Sequence, residues 1–353
     1  MDALAGEWNE LLTNSDANSI FLSWEWVSTW LNIHPEKELM VIAVRGSAGE
    51  LQGVAPYYIS DMLFLGFIRY RVLKIVGDAE SGAEYPDWIV RKSCAELVTD
   101  SIARSLKSLA AMWDCIWMPR VAGWTNAVTR IEAACCRAGL SFRKRRHEFS
   151  GFILPKDIST YEKSFTKNRK QQLRRQRKKI FSDGVSFVHC MEEAEIQPFL
   201  DKLFELNSQR WNKLGLQGTF ERKPKEEAFY REFVPVAFSR GWLVFAGLQD
   251  GSELKSLQIG YVYNRRFHQL QEGFDPDYTG GVGNVLRAEI IKYCIESGVE
   301  YYDFLGEFTE HKRRWGAEKR YGFDLFIGNG LLKSDLLVRA GFWPSGQYLR
   351  FSP

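Results

Sequence analysis

A run of glycines at residues 279–283, Thr-Gly-Gly-Val-Gly, directly precedes a predicted helix and could bind an anion. Free backbone N–H groups at a helix start point at an anion, and the helix dipole adds to the attraction. Glycine lets the backbone approach a pyrophosphate and adopt positive φ angles. The spacing matches neither a Walker nor a Rossmann loop, and taken alone it predicts a tight turn as readily as an anion site. The candidate anion-binding residues are Thr279, Gly280, Gly281, Gly283 and Asn284.

The cysteines and histidines have none of the spacings that bind zinc. The six cysteines form no CxxC pair and the five histidines no HxxxH or HxH pair, so we predict no metal site and no disulfide framework. No Ser-His-Asp or Cys-His arrangement can be proposed, so a covalent enzyme intermediate is not favoured. We also expect no permanently bound cofactor. The N-terminus lacks a signal-peptide pattern and residues 62–68 are the longest apolar stretch, which predicts a cytoplasmic protein.

Positive charge is concentrated in residues 161–180, which contain nine Lys/Arg and one Glu, whereas the whole chain carries +3. Phe165, Leu173 and Ile180 are spaced by eight and seven residues, which predicts a helix over residues 162–180 with one narrow buried seam. A solvated face is the default interpretation, and nucleic-acid binding is a smaller alternative. An acidic carrier protein, a tRNA or an anionic membrane surface would each suit this helix. The candidate contact residues are Arg174, Arg175, Lys178 and Lys179.

The hydrophobic pattern predicts two halves with the same order of elements, each combining helices with a small sheet. The first half begins with an aromatic helix at residues 23–31 and a hairpin at 39–45 and 51–59. The second half has predicted helices at 195–213, 225–239 and 284–297, and strands at 242–248, 257–263, 267–274, 300–305 and 320–327. This order suggests a duplicated α/β unit, and 353 residues are enough for two domains.

Several segments of the second half carry a family pattern: LQEGFDPDY at 270–278, Gly283 with its helix, GVEYYDFLG at 298–306 and HKRRWG at 311–316. With Arg210-Trp211 upstream, they resemble the GNAT superfamily of acyltransferases, in its FemAB-like and CelD-like branch. The resemblance implies an α/β (α+β) fold of tandem GNAT-like domains, each a mixed, mostly antiparallel sheet flanked by helices. Residues 1–155 would be a degenerate GNAT-like domain, and residues 156–353 the acyltransferase domain with the donor site.

The resemblance also implies a reaction, namely acyl transfer from acyl-CoA or an acyl carrier protein (acyl-phosphopantetheine) to an amine or hydroxyl. An amine is the preferred nucleophile, on a small molecule or glycan of cell-envelope or exopolysaccharide biosynthesis. Because the nucleophile must lose a proton, a nearby carboxylate can act as base. Asp303 lies in an apolar strand, where it is either that base or the partner of Lys312 or Arg313. Glu307 and Glu272 are the other candidates.

The acceptor-binding candidates are Arg210, Trp211, His311 and Lys312. Lys312 would hold an acidic acceptor or a donor phosphate, with a plain surface lysine as the alternative. Trp211 would line a cleft or belong to the core. The family often has Tyr where this chain has His311. Two other functions stay open, aminoacyl-tRNA-dependent peptide-bond formation and a non-catalytic role in polysaccharide assembly.

Overall fold

The computed structural model describes residues 1–78, 81–213, 215–278, 280–344 and 349–351, and the side chains of Asp2, Arg210, Leu349 and Arg350 lie outside that description. The chain divides into two units, Met1–Glu148 with Arg320–Pro353, and Phe149–Lys319. The predicted boundary at residue 155 differs from this division. Residues 320–353 belong to the first unit because the strand that contains their start pairs with a strand of that unit.

The first unit is a mixed sheet flanked by helices, with the strand order β1-β2-β3-β5-β12-β6. The β1–β2, β2–β3 and β5–β12 pairs are antiparallel, whereas β3 and β5 are parallel. Strand β6 contains the unit boundary, so only its residues up to Glu148 belong here. The elements are α1 (Ala5–Thr13), α2 (Trp24–Ile33), β1 (Leu39–Arg45), β2 (Leu51–Phe64), β3 (Ile68–Ile75), β4 (Ile89–Val90), α3 (Ala95–Ser108), β5 (Cys115–Ala122), α4 (Ala127–Arg137), β6 (Ser141–Ile153), β12 (Glu318–Gly328), α12 (Leu332–Arg339) and β13 (Leu349–Phe351).

The aromatic helix α2 and the hairpin of the first unit confirm the sequence predictions. The Ser23 side chain accepts a hydrogen bond from the backbone N–H of Trp26 and caps α2, as its residue type predicts. Trp26 and Trp30, four residues apart, are both fully buried. Strand β2 is longer than predicted and continues to Phe64.

The second unit is a sheet with the strand order β7-β8-β9-β10-β11-β6, covered by helices on both faces. Side chains alternate along a strand, so Val244 and Ala246 of β8 pack with α6 and α10, whereas Phe245 packs with α7 and α9. The elements are α5 (Ile158–Lys163), α6 (Lys167–Ser182), β7 (Ser186–His189), α7 (Ile196–Asn212), α8 (Thr219–Arg222), α9 (Pro224–Ser239), β8 (Leu243–Asp250), β9 (Glu253–Tyr263), β10 (Arg266–Phe274), α10 (Val282–Glu296), β11 (Tyr301–Asp303) and α11 (Glu310–Arg313). The predicted class, mixed and mostly antiparallel sheets flanked by helices, is confirmed.

Strands β10 and β11 are parallel neighbours that pair over only three residues each, 266–268 with 301–303. Strand β10 continues to Phe274, well past the end of this pairing, and a register irregularity with β9 lies between Gln269 and Gln271. Helix α10 connects the two strands. The N-terminus of α10 therefore lies at the end of the sheet where β10 continues beyond its pairing with β11.

The basic segment is not the single helix predicted over residues 162–180. Thr166 has an extended backbone (φ −62°, ψ 154°), and its hydroxyl accepts a hydrogen bond from the backbone N–H of Arg169, so the chain leaves α5 and starts α6 only at Lys167. Phe165 lies in the link between the two helices. It is nevertheless buried together with Leu173 and Ile180, which confirms the predicted apolar seam.

Within the described ranges, no helix combines the length and hydrophobicity that a transmembrane span requires.

Candidate functional site

The glycine run opens α10 through two residues with positive φ angles. Gly280 has φ 103°, and Gly281, the N-cap, has φ 78° in the left-handed region. A side chain at Gly281 would also collide with the amide of Gln176 on α6. The helix starts at Val282, two residues earlier than predicted, so Gly283 lies in its first turn. Thr279 lies outside the described residues.

A cleft of about 360 Å³ lies between this loop, the end of β10 and α11. Three of its lining residues, Glu272, Arg287 and His311, contact one another. One terminal N–H of Arg287 donates to the carboxylate of Glu272, and the other lies 2.5 Å from Nε2 of His311. The side chain of Arg287 is only 4% exposed. Glu272 and His311, which are 15 and 24 positions away from Arg287 in the sequence, thus meet at its guanidinium group.

Sequence reasoning identified Glu272 and His311 but missed Arg287. The signal was available, because Arg287 follows Val285 and Leu286 in an otherwise apolar helical stretch immediately after the glycine loop. A charged side chain at such a position needs a partner.

His311 is neutral in this arrangement. Partial burial, and then the nearby positive charge of Arg287, lower the pKa of His311 below its ordinary value. A neutral imidazole whose Nε2 accepts from Arg287 carries its proton on Nδ1. The ring therefore offers one N–H donor beside the cleft.

Asp303 is not at the cleft. Its side chain is 2% exposed, its Oδ1 accepts a hydrogen bond of 3.0 Å from the backbone N–H of Leu305, and its Oδ2 lies 3.5 Å from Nη1 of Arg266. Of the two partners predicted for it, Arg313 pairs instead with Glu310. These contacts favour a structural role for Asp303, since a base must reach the proton that it removes.

Glu307 lies in the loop between β11 and α11 and Lys312 lies in α11, and neither lines either of the two clefts beside the start of α10. The side chain of Glu307 is exposed. The ammonium of Lys312 donates hydrogen bonds to the carbonyls of Leu305, at 2.6 Å, and of Glu307, at 2.9 Å. Lys312 therefore holds its own loop, and these contacts do not favour its predicted contact with an acceptor.

The remaining predicted residues are dispersed. Trp211 lies at the end of α7, where the guanidinium of Arg222 is 5.9 Å from the centre of its ring, and it lines neither cleft. The side chain of Arg210 lies outside the described part of the chain. Asn284 lines both clefts. The four candidate carrier contacts on α6, Arg174, Arg175, Lys178 and Lys179, are exposed.

Residues 167–313 match the family model of the acetyltransferase (GNAT) domain. This range contains the glycine loop, Glu272, Arg287 and His311. Over this part of its second unit, the chain is therefore similar to GNAT acetyltransferase domains. The CelD-like branch of the predicted resemblance stays a prediction.

Three solved structures share the fold at low sequence identity. A crystal structure of FemX is 13% identical, with 94% of this chain and 97% of that chain covered and a TM-score of 0.63. The C-terminal domain (DUF2156) of a putative lysylphosphatidylglycerol synthetase from Agrobacterium fabrum is 12% identical, with 97% and 98% covered and a TM-score of 0.56. L-PGS from Bacillus licheniformis is 12% identical, with 90% and 96% covered and a TM-score of 0.51. No curated protein sequence matches the chain significantly.

Proposed function

We propose that the second unit transfers an acyl group from a thioester donor to an amine or hydroxyl acceptor. The observation that supports this proposal is the position of the Glu272–Arg287–His311 cluster in the cleft that the glycine loop and the first turn of α10 border. The loop would bind the donor phosphates through backbone N–H groups. The free edge of β10 past the β10–β11 pairing would bind the amide-bearing pantetheine arm as an added strand.

In the proposed reaction, Glu272 accepts the proton of the acceptor as its nitrogen or oxygen attacks the thioester carbonyl. The new C–N or C–O bond forms, the C–S bond breaks, and the thiolate leaves and takes up the proton. Arg287 orients the Glu272 carboxylate by hydrogen bonding, and His311 orients Arg287. Asp303 and Glu307, the other predicted bases, take no part in this scheme because neither lines the cleft.

The substrates follow from the family resemblance. GNAT domains use acyl-CoA, and an acyl carrier protein would present the same phosphopantetheine arm. The CelD-like resemblance favours an amine over a hydroxyl, on a small molecule or glycan of cell-envelope or exopolysaccharide biosynthesis. These choices of donor and acceptor rest on the resemblance rather than on the geometry of the cleft.

The test of this proposal is release of free thiol from a panel of acyl-CoA thioesters with amine and hydroxyl acceptors. In Glu272→Gln, we expect kcat to fall by about 10² to 10⁴, the usual contribution of a general base, with donor affinity retained. Glu296→Gln, an exposed change near the far end of α10, is the matched control and should keep full activity. Full activity of Glu272→Gln would remove Glu272 from the mechanism. Absence of any thioester turnover would instead favour the non-catalytic assembly role.

Aminoacyl-tRNA-dependent peptide-bond formation is the second candidate, and the exposed cations of α6 are the observation that favours it. A gel shift with tRNA distinguishes the two. Binding that competes with turnover of an aminoacyl ester would support this candidate, and no shift at low salt would exclude it.

A further inference from the structure

A second and larger cleft, of about 640 Å³, adjoins the first and shares Asn284 and His311 with it. It lies between the first turn of α6, the start of α10 and the segment that follows α11. Its charged lining residues are Arg169, Arg313, Arg314 and Glu310. Three guanidinium groups thus face one carboxylate, and the proposed donor site does not use this space.

The single carboxylate is already occupied. Glu310 accepts hydrogen bonds from Nε and Nη2 of Arg313 at 2.7 and 2.9 Å, and Nε of Arg314 lies 3.7 Å from the same group. Among the described residues, the guanidinium of Arg169 forms only long hydrogen bonds, 3.4 Å to Gln172 and 3.5 Å to Asn284, whose side-chain oxygens are uncharged. No carboxylate among the described residues lies within ion-pair distance of Arg169, and its Nε has no partner among them.

Trp315, which lines this cleft, has two guanidinium groups close to its ring. The guanidinium of Arg169 lies 4.5 Å from the centre of the Trp315 ring, and that of Arg287 lies 5.6 Å from it. Burial lowers the pKa of Arg169, and the charges of Arg314 and Arg287 act in the same direction. Trp315 is fully buried, and its indole N–H has no acceptor among the described residues. Because Arg287 is already paired with Glu272, an anion in this cleft would mainly balance the charge of Arg169.

We propose that this cleft binds the acceptor through an anionic group, a phosphate or a carboxylate. The shared wall of Asn284 and His311 places the nucleophile of such an acceptor beside Glu272 in the adjoining donor cleft. The first-turn N–H groups of α6, a helix of 16 residues, add to the attraction. This assignment rests on the proposed acyl transfer, because it is the thioester in the neighbouring cleft that makes the occupant an acceptor.

The experiment measures binding of inorganic phosphate and of CoA by calorimetry in the full chain and in three Arg→Gln variants. Arg169→Gln changes the guanidinium beside Trp315, Arg314→Gln changes an exposed residue at the rim, and Arg265→Gln is the control. Arg265 is exposed at the opposite end of β10, beside Glu300. We expect phosphate affinity to fall about 10-fold to 100-fold in Arg169→Gln and less in Arg314→Gln, with Arg265→Gln unchanged. CoA affinity should be unchanged in all three.

The two affinities distinguish an anionic group of the acceptor from a phosphate of the donor. If Arg169→Gln and Arg314→Gln weaken CoA as much as phosphate, the arginines bind a phosphate of the donor and the acceptor assignment is wrong. If neither variant alters phosphate binding, the cleft is not an anion site. A turnover comparison completes the test: a phosphorylated amino sugar should exceed the neutral amino sugar in kcat/KM by about tenfold, and Arg169→Gln should abolish this preference. Phosphate binding without thioester turnover would overturn the proposed function but keep the anion site.

Discussion

Arg287 joins a carboxylate and an imidazole that lie on different elements, Glu272 on β10 and His311 on α11. The guanidinium can do this because its N–H donors point in fixed directions. Since the Arg287 side chain is buried, it keeps both partners in place when substrate enters. The chemistry of the candidate site therefore depends on the protonation state of His311.

Stability and activity should both depend on pH through the protonation of His311. The fold lowers the pKa of His311. In the unfolded chain this histidine takes up a proton near pH 6.5, whereas the folded chain still keeps the ring neutral there. As pH falls below about 6.5, stability from this group declines, and below the folded pKa the ring no longer accepts from Arg287. We expect kcat/KM to be constant near neutrality and to fall on the acidic side.

His311→Gln separates this effect from other titrations, because an amide oxygen can accept from Arg287 without titrating in this range. The acidic limb of the pH profile should then disappear. An unchanged acidic limb in the variant would assign it to another group. That group would not be His268, because burial lowers the pKa of His268 to about 3.

Asp303→Asn should lower stability rather than the rate. The amide can still accept from the backbone N–H of Leu305, but it removes the negative charge beside Arg266. Loss of this charge-assisted contact with the partly exposed Arg266 should cost about 1 to 3 kcal/mol. Thermal unfolding and kcat measured on the same preparation test this. A fall of kcat by a factor of about 10² or more in a variant of unchanged stability would restore Asp303 as the base.

Among the elements, we expect the junction of β10 with α10 to control donor binding. A side chain on Gly283 faces the donor cleft and meets only Phe274, at 3.6 Å. We expect Gly283→Ala to fold and bind CoA normally, whereas the branched side chain of Gly283→Val blocks the approach of the pyrophosphate and weakens CoA binding by about tenfold or more. Calorimetric titration with CoA measures both. Equal affinities in the two variants would mean that the glycine run is only a turn.

Helix α6 has two faces of different composition. Leu173 and Ile180 bury its apolar seam, and Arg177 pairs with the mostly buried Glu289 of α10 at 2.8 Å. Gln176 covers the backbone of Gly281. The helix is thus packed against the donor loop by one face, while the cations of the other face remain available for a partner.

At the scale of the whole molecule, charge is distributed unevenly along the chain. The net charge is +3, and residues 161–180 contribute +8, so the rest contributes 3 − 8 = −5. A polyanionic carrier would be attracted mainly to α6, and salt screens that attraction over a Debye length of about 10 Å at 0.1 M. Turnover with a carrier-linked thioester should therefore fall steeply as salt rises, whereas turnover of a small acyl-CoA should change less.

Replacing Arg174, Arg175, Lys178 and Lys179 with Ser tests this prediction. These residues are exposed and lie outside both clefts, so acyl-CoA turnover should be retained while carrier-dependent turnover falls and loses its salt dependence. The salt slopes of the two reactions in parent and variant are the measurement. Equal slopes in all four cases would mean that this face of α6 is only solvated.

Most elements of the second unit could be predicted from the sequence, because their signals are local. Apolar periodicity predicted helices within one residue of the observed α7 and α9, and it predicted strands β8 and β10 to within two residues at each end. Strand β9 was also predicted, but it begins four residues earlier than expected. The glycine run predicted the start of α10 to within two residues. The Thr166 cap was the local signal that the prediction for α6 missed.

Which of these residues contact one another depends on how the elements pack. Glu272, Arg287 and His311 are distant along the chain, and their contact requires that β10, α10 and α11 pack as they do. Asp303 and Glu272 are both carboxylates on predicted strands. One became buried beside Arg266 and the other lines a cleft. Residues 320–328 belong to the first unit because they pair with β5, which lies about two hundred positions earlier in the chain. Hydrophobic patterns report which side of an element is buried, but they carry no information about the partner that buries it.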